Sequence, residues 1–135
     1  MTFHLHERLT ADAYTVKDLP LCRLLLMDDQ RFPWTILVPR RDGLRDFHDV
    51  AKADKPAFLG EIDHVSAVLK AMTGAQKINV AALGNMVPQL HVHVIARFET
   101  DPCWPRPVWG EGTAEPYEPA AAGKLIESLR KGLHG

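Results

Sequence analysis

The chain has 135 residues, 46% of them hydrophobic and 24% charged, which suits one soluble globular domain and argues against a coiled coil or a mainly disordered polymer. Sixteen Lys and Arg against 17 Asp and Glu leave a formal charge of −1, so no global field draws the chain to nucleic acid or an anionic membrane. Cys22 and Cys103 are too few and too far apart for a disulfide scaffold or a four-cysteine zinc site, and no run approaches the ~20 apolar residues of a membrane span, so a cytoplasmic protein with reduced thiols is expected.

In chain order, the N-terminus carries His4 and His6 without a nearby carboxylate or cysteine pattern, and neither is assigned a role. Leu21–Met27 and the β-branched run Thr35–Pro39 read as strands joined through the polar turn 28–33, an antiparallel hairpin. Asp54-Lys55-Pro56 is a helix start, and Phe58, Ile62, Val65, Leu69 and Met72 follow at helical spacing until Gly74. His64 lies beside that stripe and is expected to be a partly exposed helical residue. Lys77–Leu83 and Gln89–Phe98 are two further strands around a Gly84-Asn85 turn, and Ala120 to about Leu133 forms a last helix. The predicted class is α+β, an antiparallel sheet in β-β-α-β-β order with a long helix packed on it. One domain over residues 1–135 is expected, with a core at about 21–98. Its tail, 99–135, contains a Pro- and Trp-rich loop: six of the ten prolines fall between Pro88 and Pro119.

The chemistry is concentrated in Gly84-Asn-Met-Val-Pro-Gln89-Leu-His91-Val-His93-Val-Ile. On a strand, residues two apart share a face, so Gln89, His91 and His93 align while Leu90, Val92 and Val94 face the core; Cα atoms of the two histidines are then roughly 7 Å apart. Such a pair can decorate a solvent face, hold a metal or act on a phosphate. Metal binding is the weaker alternative, because the nearest following carboxylate is Glu99 and no second cluster supplies further ligands.

This segment resembles the signature of the histidine triad superfamily, in which three histidines alternate with hydrophobic residues on one strand. The resemblance spans roughly Leu21 to Arg97, and Thr35-Ile-Leu-Val-Pro39 followed by Arg45-Asp-Phe-His48-Asp-Val is similar to the fragile-histidine-triad and dinucleoside polyphosphate hydrolase branch. It implies that His91 is the nucleophile and that His93 hydrogen-bonds the phosphate or leaving group, with Gln89 in the place of the first histidine. Trp34 stands where members commonly carry another histidine. Gly84 and Asn85 correspond to a phosphate-approaching turn, Asp28 to the residue holding a ribose with Asp29 as competitor, and His48 to a structural position. Trp104 and Trp109 either stack on a base or cover the sheet, the second being favoured.

The implied activity is that of a nucleotide hydrolase or nucleotidyl transferase acting on a phosphoanhydride, phosphoester or phosphoramidate bond through a covalent nucleotidyl-histidine. A catalytically weak or inactive nucleotide-binding module is the alternative, motivated by Gln89 and Trp34. No tightly bound cofactor or metal is implied, although Mg²⁺ can accompany a polyphosphate substrate. The expected partners are a nucleotide and a second copy of the chain in a homodimer, with no nucleic acid and no membrane.

Overall fold

A computed structural model describes residues 3–134 of the chain. Five strands form a single antiparallel sheet in the order β1-β2-β3-β5-β4: β1 is Ala13–Asp18, β2 Cys22–Met27, β3 Trp34–Pro39, β4 Lys77–Ala81 and β5 Val92–Arg97. A short helix α1, Glu7–Asp12, precedes β1; the long helix α2 covers Lys55–Thr73, and α3 covers Pro119–Gly132. The expected α+β class, central hairpin, long helix and C-terminal helix are all present.

Alternation along the central strands separates two apolar layers. Leu24, Leu26, Leu37, Val92, Val94 and Ala96 turn toward α2 and α3, where Val65, Leu69 and Leu129 meet them in full burial. Burying a side chain of this size contributes about 1.5–3 kcal/mol. Leu25, Trp34, Ile36, Val38 and Ile95 turn the other way and are covered by Phe32, Cys103 and Val108. Helix α2 ends as its sequence requires, with Gly74 at φ 72° and its N–H bonded to the Lys70 carbonyl. It is fastened to the sheet by buried Glu61, whose carboxylate accepts the N–H groups of Leu21 and Cys22 at 2.8 and 2.7 Å.

Three differences from expectation follow from local physics. Strand β1 was not expected. Its pairing with β2 shifts register between Thr15 and Lys17, a bulge that turns Val16 into the core and breaks the two-residue alternation by which a strand is recognised. The Val16 carbonyl at this irregularity is taken by the Arg130 guanidinium from α3 at 2.8 Å. Strand β4 ends at Ala81, not Leu83. Strand β5 begins at Val92, not Gln89, because its pairing with β3 stops at Leu37 and Val92, and the Leu90 N–H donates instead to the Leu44 carbonyl at 3.0 Å. Among the described residues, no helix is long and apolar enough to cross a membrane.

Candidate active site

His93 sits inside β5, opposite Ile36 of β3 and Ala81 of β4, and His91 immediately precedes the strand. Both are buried, and their rings lie 4.9 Å apart in an edge arrangement. They share the sheet face away from α2, as their spacing predicts.

The partners of the two imidazoles distinguish them. The Nδ1 of His91 lies 2.7 Å from the Gln89 main-chain carbonyl, which can only accept, so this nitrogen carries the proton. In the neutral ring, Nε2 then holds a free lone pair. His93 Nδ1 faces the indole N–H of Trp34 at 2.9 Å. An indole nitrogen can only donate, so His93 Nδ1 is the acceptor and Nε2 carries the proton. Neighbouring histidines that look equivalent in sequence are thereby held in opposite tautomers.

Both rings are also kept neutral. Burial lowers the His91 pKa below the ordinary 6.5, reinforced by His6 and opposed by the Gln89 carbonyl. Burial, with a further contribution from His91, pushes His93 down to about 3. Trp34 acts in the same sense, since an imidazolium Nδ1–H would face another N–H. The His93 ring is held between two tryptophans, with centroids 5.7 Å from Trp34 and 5.1 Å from Trp109.

Trp109 is delivered by the loop after β5, and that loop is anchored by an ion pair. Arg97, 1% exposed at the end of β5, bonds both oxygens of Asp101, the Asn79 side chain and the Arg106 carbonyl. Asp101 also accepts the N–H groups of Phe98, Cys103 and Trp104. Thus Trp109 reaches the site as well as covering the sheet, whereas Trp104 lies near Arg97, its ring centroid 5.8 Å from the guanidinium carbon.

A cavity of about 370 Å³ opens onto both histidines, with Met27, Trp34, Ile36, Val87 and Trp109 giving it largely apolar walls. A second, of about 240 Å³, shares His91 and Gly84 with the first and is bordered by Arg45, Asp46 and Phe47. Gly84 has φ 78°, a conformation suited to glycine, and Asn85 lines the larger cavity, so the predicted turn does meet the histidines.

Two expected site residues lie elsewhere. Gln89 does not complete a polar row: strand geometry has not yet begun at this position, and its amide is bonded to the backbone of the N-terminal segment, accepting from His6 N at 2.8 Å and donating to the His4 carbonyl at 2.9 Å. Asp28 lies outside the cavity, its carboxylate accepting the Tyr117 N–H at 2.8 Å. Its competitor Asp29 is paired with Arg31 at 2.8 Å and also accepts Glu115 N–H. His48 is exposed beside Asp49. Conversely, Arg8, Leu9 and Asp12 of α1 wall the cavity without having been expected there, because a six-residue helix offers no stripe long enough to recognise.

The HIT domain family model matches residues 8–100. The chain belongs to the HIT domain family. Among solved structures, this HIT chain is similar to a histidine triad protein from Sinorhizobium meliloti, with 46% identity over 97% of each chain and a TM-score of 0.95. A histidine triad protein from Bradyrhizobium japonicum shares 40% identity over 99% of this chain and 100% of its own, with a TM-score of 0.96. One from Marinobacter aquaeolei shares 42% over 98% and 97%, with a TM-score of 0.95. None of the curated proteins compared matches the chain.

Proposed function

We propose that this HIT protein is a nucleotide hydrolase or nucleotidyl transferase in which His91 is the nucleophile and His93 the donor to the reacting phosphate. The opposed partners of the two Nδ1 atoms, a carbonyl for His91 and an indole N–H for His93, are the observation that carries this reading. The His91 Nε2 lone pair attacks phosphorus; a nitrogen–phosphorus bond forms as the bond to the leaving group breaks with its electron pair. The adduct is an imidazolium whose Nδ1–H remains on the Gln89 carbonyl, and a phosphate leaving group departs as an anion without needing a proton. Water or another acceptor then attacks phosphorus, losing its proton to solvent, and the nitrogen–phosphorus electron pair returns to His91.

His93 donates a hydrogen bond from Nε2 to a phosphate oxygen and keeps its proton throughout, since a neutral imidazole that gave it up would become an anion. Fixed donors of this kind act where phosphoryl charge shifts in the transition state. The apolar cavity suits a nucleobase, and the step as written serves a phosphoanhydride; with a phosphoester or phosphoramidate the departing oxygen or nitrogen must also take up a proton, which solvent supplies in the open cavity. The reading needs no resident metal; Mg²⁺ would arrive as the counter-ion of a polyphosphate.

The test is a turnover screen of dinucleoside polyphosphates and adenosine 5′-phosphoramidate with both histidine variants. His91→Ala should reduce turnover to background while nucleotide affinity is retained. His93→Ala should lower kcat by about 10²- to 10³-fold, as for loss of one transition-state donor. Quenching during turnover should trap an acid-labile, base-stable label that requires His91. Label retained in His91→Ala and lost in His93→Ala would reverse the assignment. A binding module without turnover is the second reading, favoured by the engagement of Gln89 away from the histidines; it prevails if wild-type protein binds nucleotide and turns over none of these substrates.

A further inference from the structure

The amide of Gln89 makes two hydrogen bonds to one short stretch of backbone, receiving the N–H of His6 and reaching the carbonyl of His4. No acceptor-only or donor-only side chain can do both. His6 in turn starts α1, its Nδ1 accepting the Arg8 N–H at 3.0 Å, and Leu9 of that helix is buried in the apolar layer that contains Trp34. Gln89, two residues from the proposed nucleophile, is thus the clasp of the segment that carries the outer wall of the cavity.

That wall brings in Asp12, the single carboxylate among the residues lining the larger cavity. Its side chain is 51% exposed and stands 3.6 Å from Arg8, so it is neither buried nor consumed by a tight ion pair. An acceptor-only group of this charge repels phosphate and attracts neutral hydroxyl donors. A nucleotide with phosphorus at His91 and its base among the apolar walls presents such donors on its ribose. Asp28 does not line the cavity.

We propose that Gln89 is a positioning residue that clasps residues 4–6 and holds α1 in place, so that Asp12 accepts the ribose hydroxyls of the bound nucleotide. The ligand assignment rests on the nucleotide reading above; the clasp itself does not. Hydrogen exchange and binding separate the two.

In wild type, the His6 amide should exchange slowly, and Gln89→Leu, which removes both bonds, should accelerate it by at least about tenfold, the equivalent of one net hydrogen bond of roughly 1.4 kcal/mol. Gln89→His can replace only one of the two bonds and should fall between them. Calorimetry with AMP should show affinity reduced about tenfold by Gln89→Leu and about tenfold by Asp12→Asn. The two effects should combine to less than their product, as coupled sites do. Against 2′,3′-dideoxy-AMP, Asp12→Asn should make no difference. With a turned-over substrate, Gln89→Leu should act mainly on KM, with kcat moving less than about threefold (~0.7 kcal/mol).

Unchanged His6 exchange in Gln89→Leu overturns the clasp. Equal loss of AMP and dideoxy-AMP affinity in Asp12→Asn, or AMP that fails to bind wild type, overturns the ribose assignment. A fall in kcat with constant KM in Gln89→Leu makes Gln89 a catalytic group and also overturns the proposal. If all these results hold but no substrate is turned over, the hydrolase reading fails and the clasp stands.

Discussion

Replacing Trp34 by Phe tests the division of labour between the histidines, because it keeps an aromatic ring in the layer while deleting the one N–H that faces His93. Trp34 is 5% exposed and packs edge-on to Phe32, His93 and Trp109, so solvent does not readily replace the lost donor. A hydrogen bond of about 1 kcal/mol that favours one tautomer holds the productive form at roughly five to one; without it the two tautomers become comparable and the productive fraction falls about twofold. Loss of ring orientation adds to this, and a total decrease in kcat of roughly three- to tenfold is expected, well short of the His93→Ala effect. Long-range ¹⁵N–¹H correlation should show His93 in wild type protonated predominantly at Nε2 and uncharged between pH 5 and 8. In Trp34→Phe both tautomers should appear. Relief from the opposing indole N–H should raise the His93 pKa only in part, because burial and His91, which push it down to about 3, remain in the variant. A wild-type spectrum with the proton on Nδ1, or a variant with unchanged tautomer and unchanged kcat, would refute the argument.

Asp101→Asn should destabilise the fold by about 3–5 kcal/mol in denaturant unfolding, because it strips the partner from buried Arg97. Burial pushes the Asp101 pKa up, but Arg97 and the N–H groups of Phe98 and Cys103 outweigh it and hold the carboxyl at about 2, so this support is present above the ordinary 3.8 and is lost as pH falls toward 2. A loss below about 1 kcal/mol would mean that the loop carrying Trp109 does not depend on the pair. We also expect a homodimer, since β4 is an outer strand of the sheet and exposes Val80 at 45%; light scattering that returns the 15.1 kDa of one chain across micromolar concentrations would rule it out.

The sheet's centre and the long helix were legible in the sequence because their periodicities are strong and each ends on local chemistry. Phe58, Ile62, Val65 and Leu69 mark one helix face, and Gly74 stops it. Strand β1 was hidden for the converse reason. Val16 is buried through a bulge, and a bulge is set by pairing with β2 and by the Arg130 bond to its carbonyl, neither of which is local in sequence. Helix α1 is shorter than any periodic signal, and its position depends on a clasp made by a residue 83 positions away.

The site divides along the same line. Alternation is a property of the local chain, so it correctly put His91 and His93 on one face. It did not give the role of Gln89, because long-range backbone partners in the N-terminal segment claim the amide. What makes two identical side chains chemically different is likewise non-local. One imidazole meets an acceptor from its own segment and the other a donor from β3, an adjacent strand of the sheet. Trp34, which in sequence looked like the loss of a supporting histidine, supplies that donor. A tryptophan there has one advantage that a histidine lacks: its N–H cannot reverse into an acceptor, so the orientation it imposes on His93 does not change with pH. The departure from the three-histidine pattern is therefore consistent with a working site, provided that the remaining pair has its protons placed by groups that do not titrate.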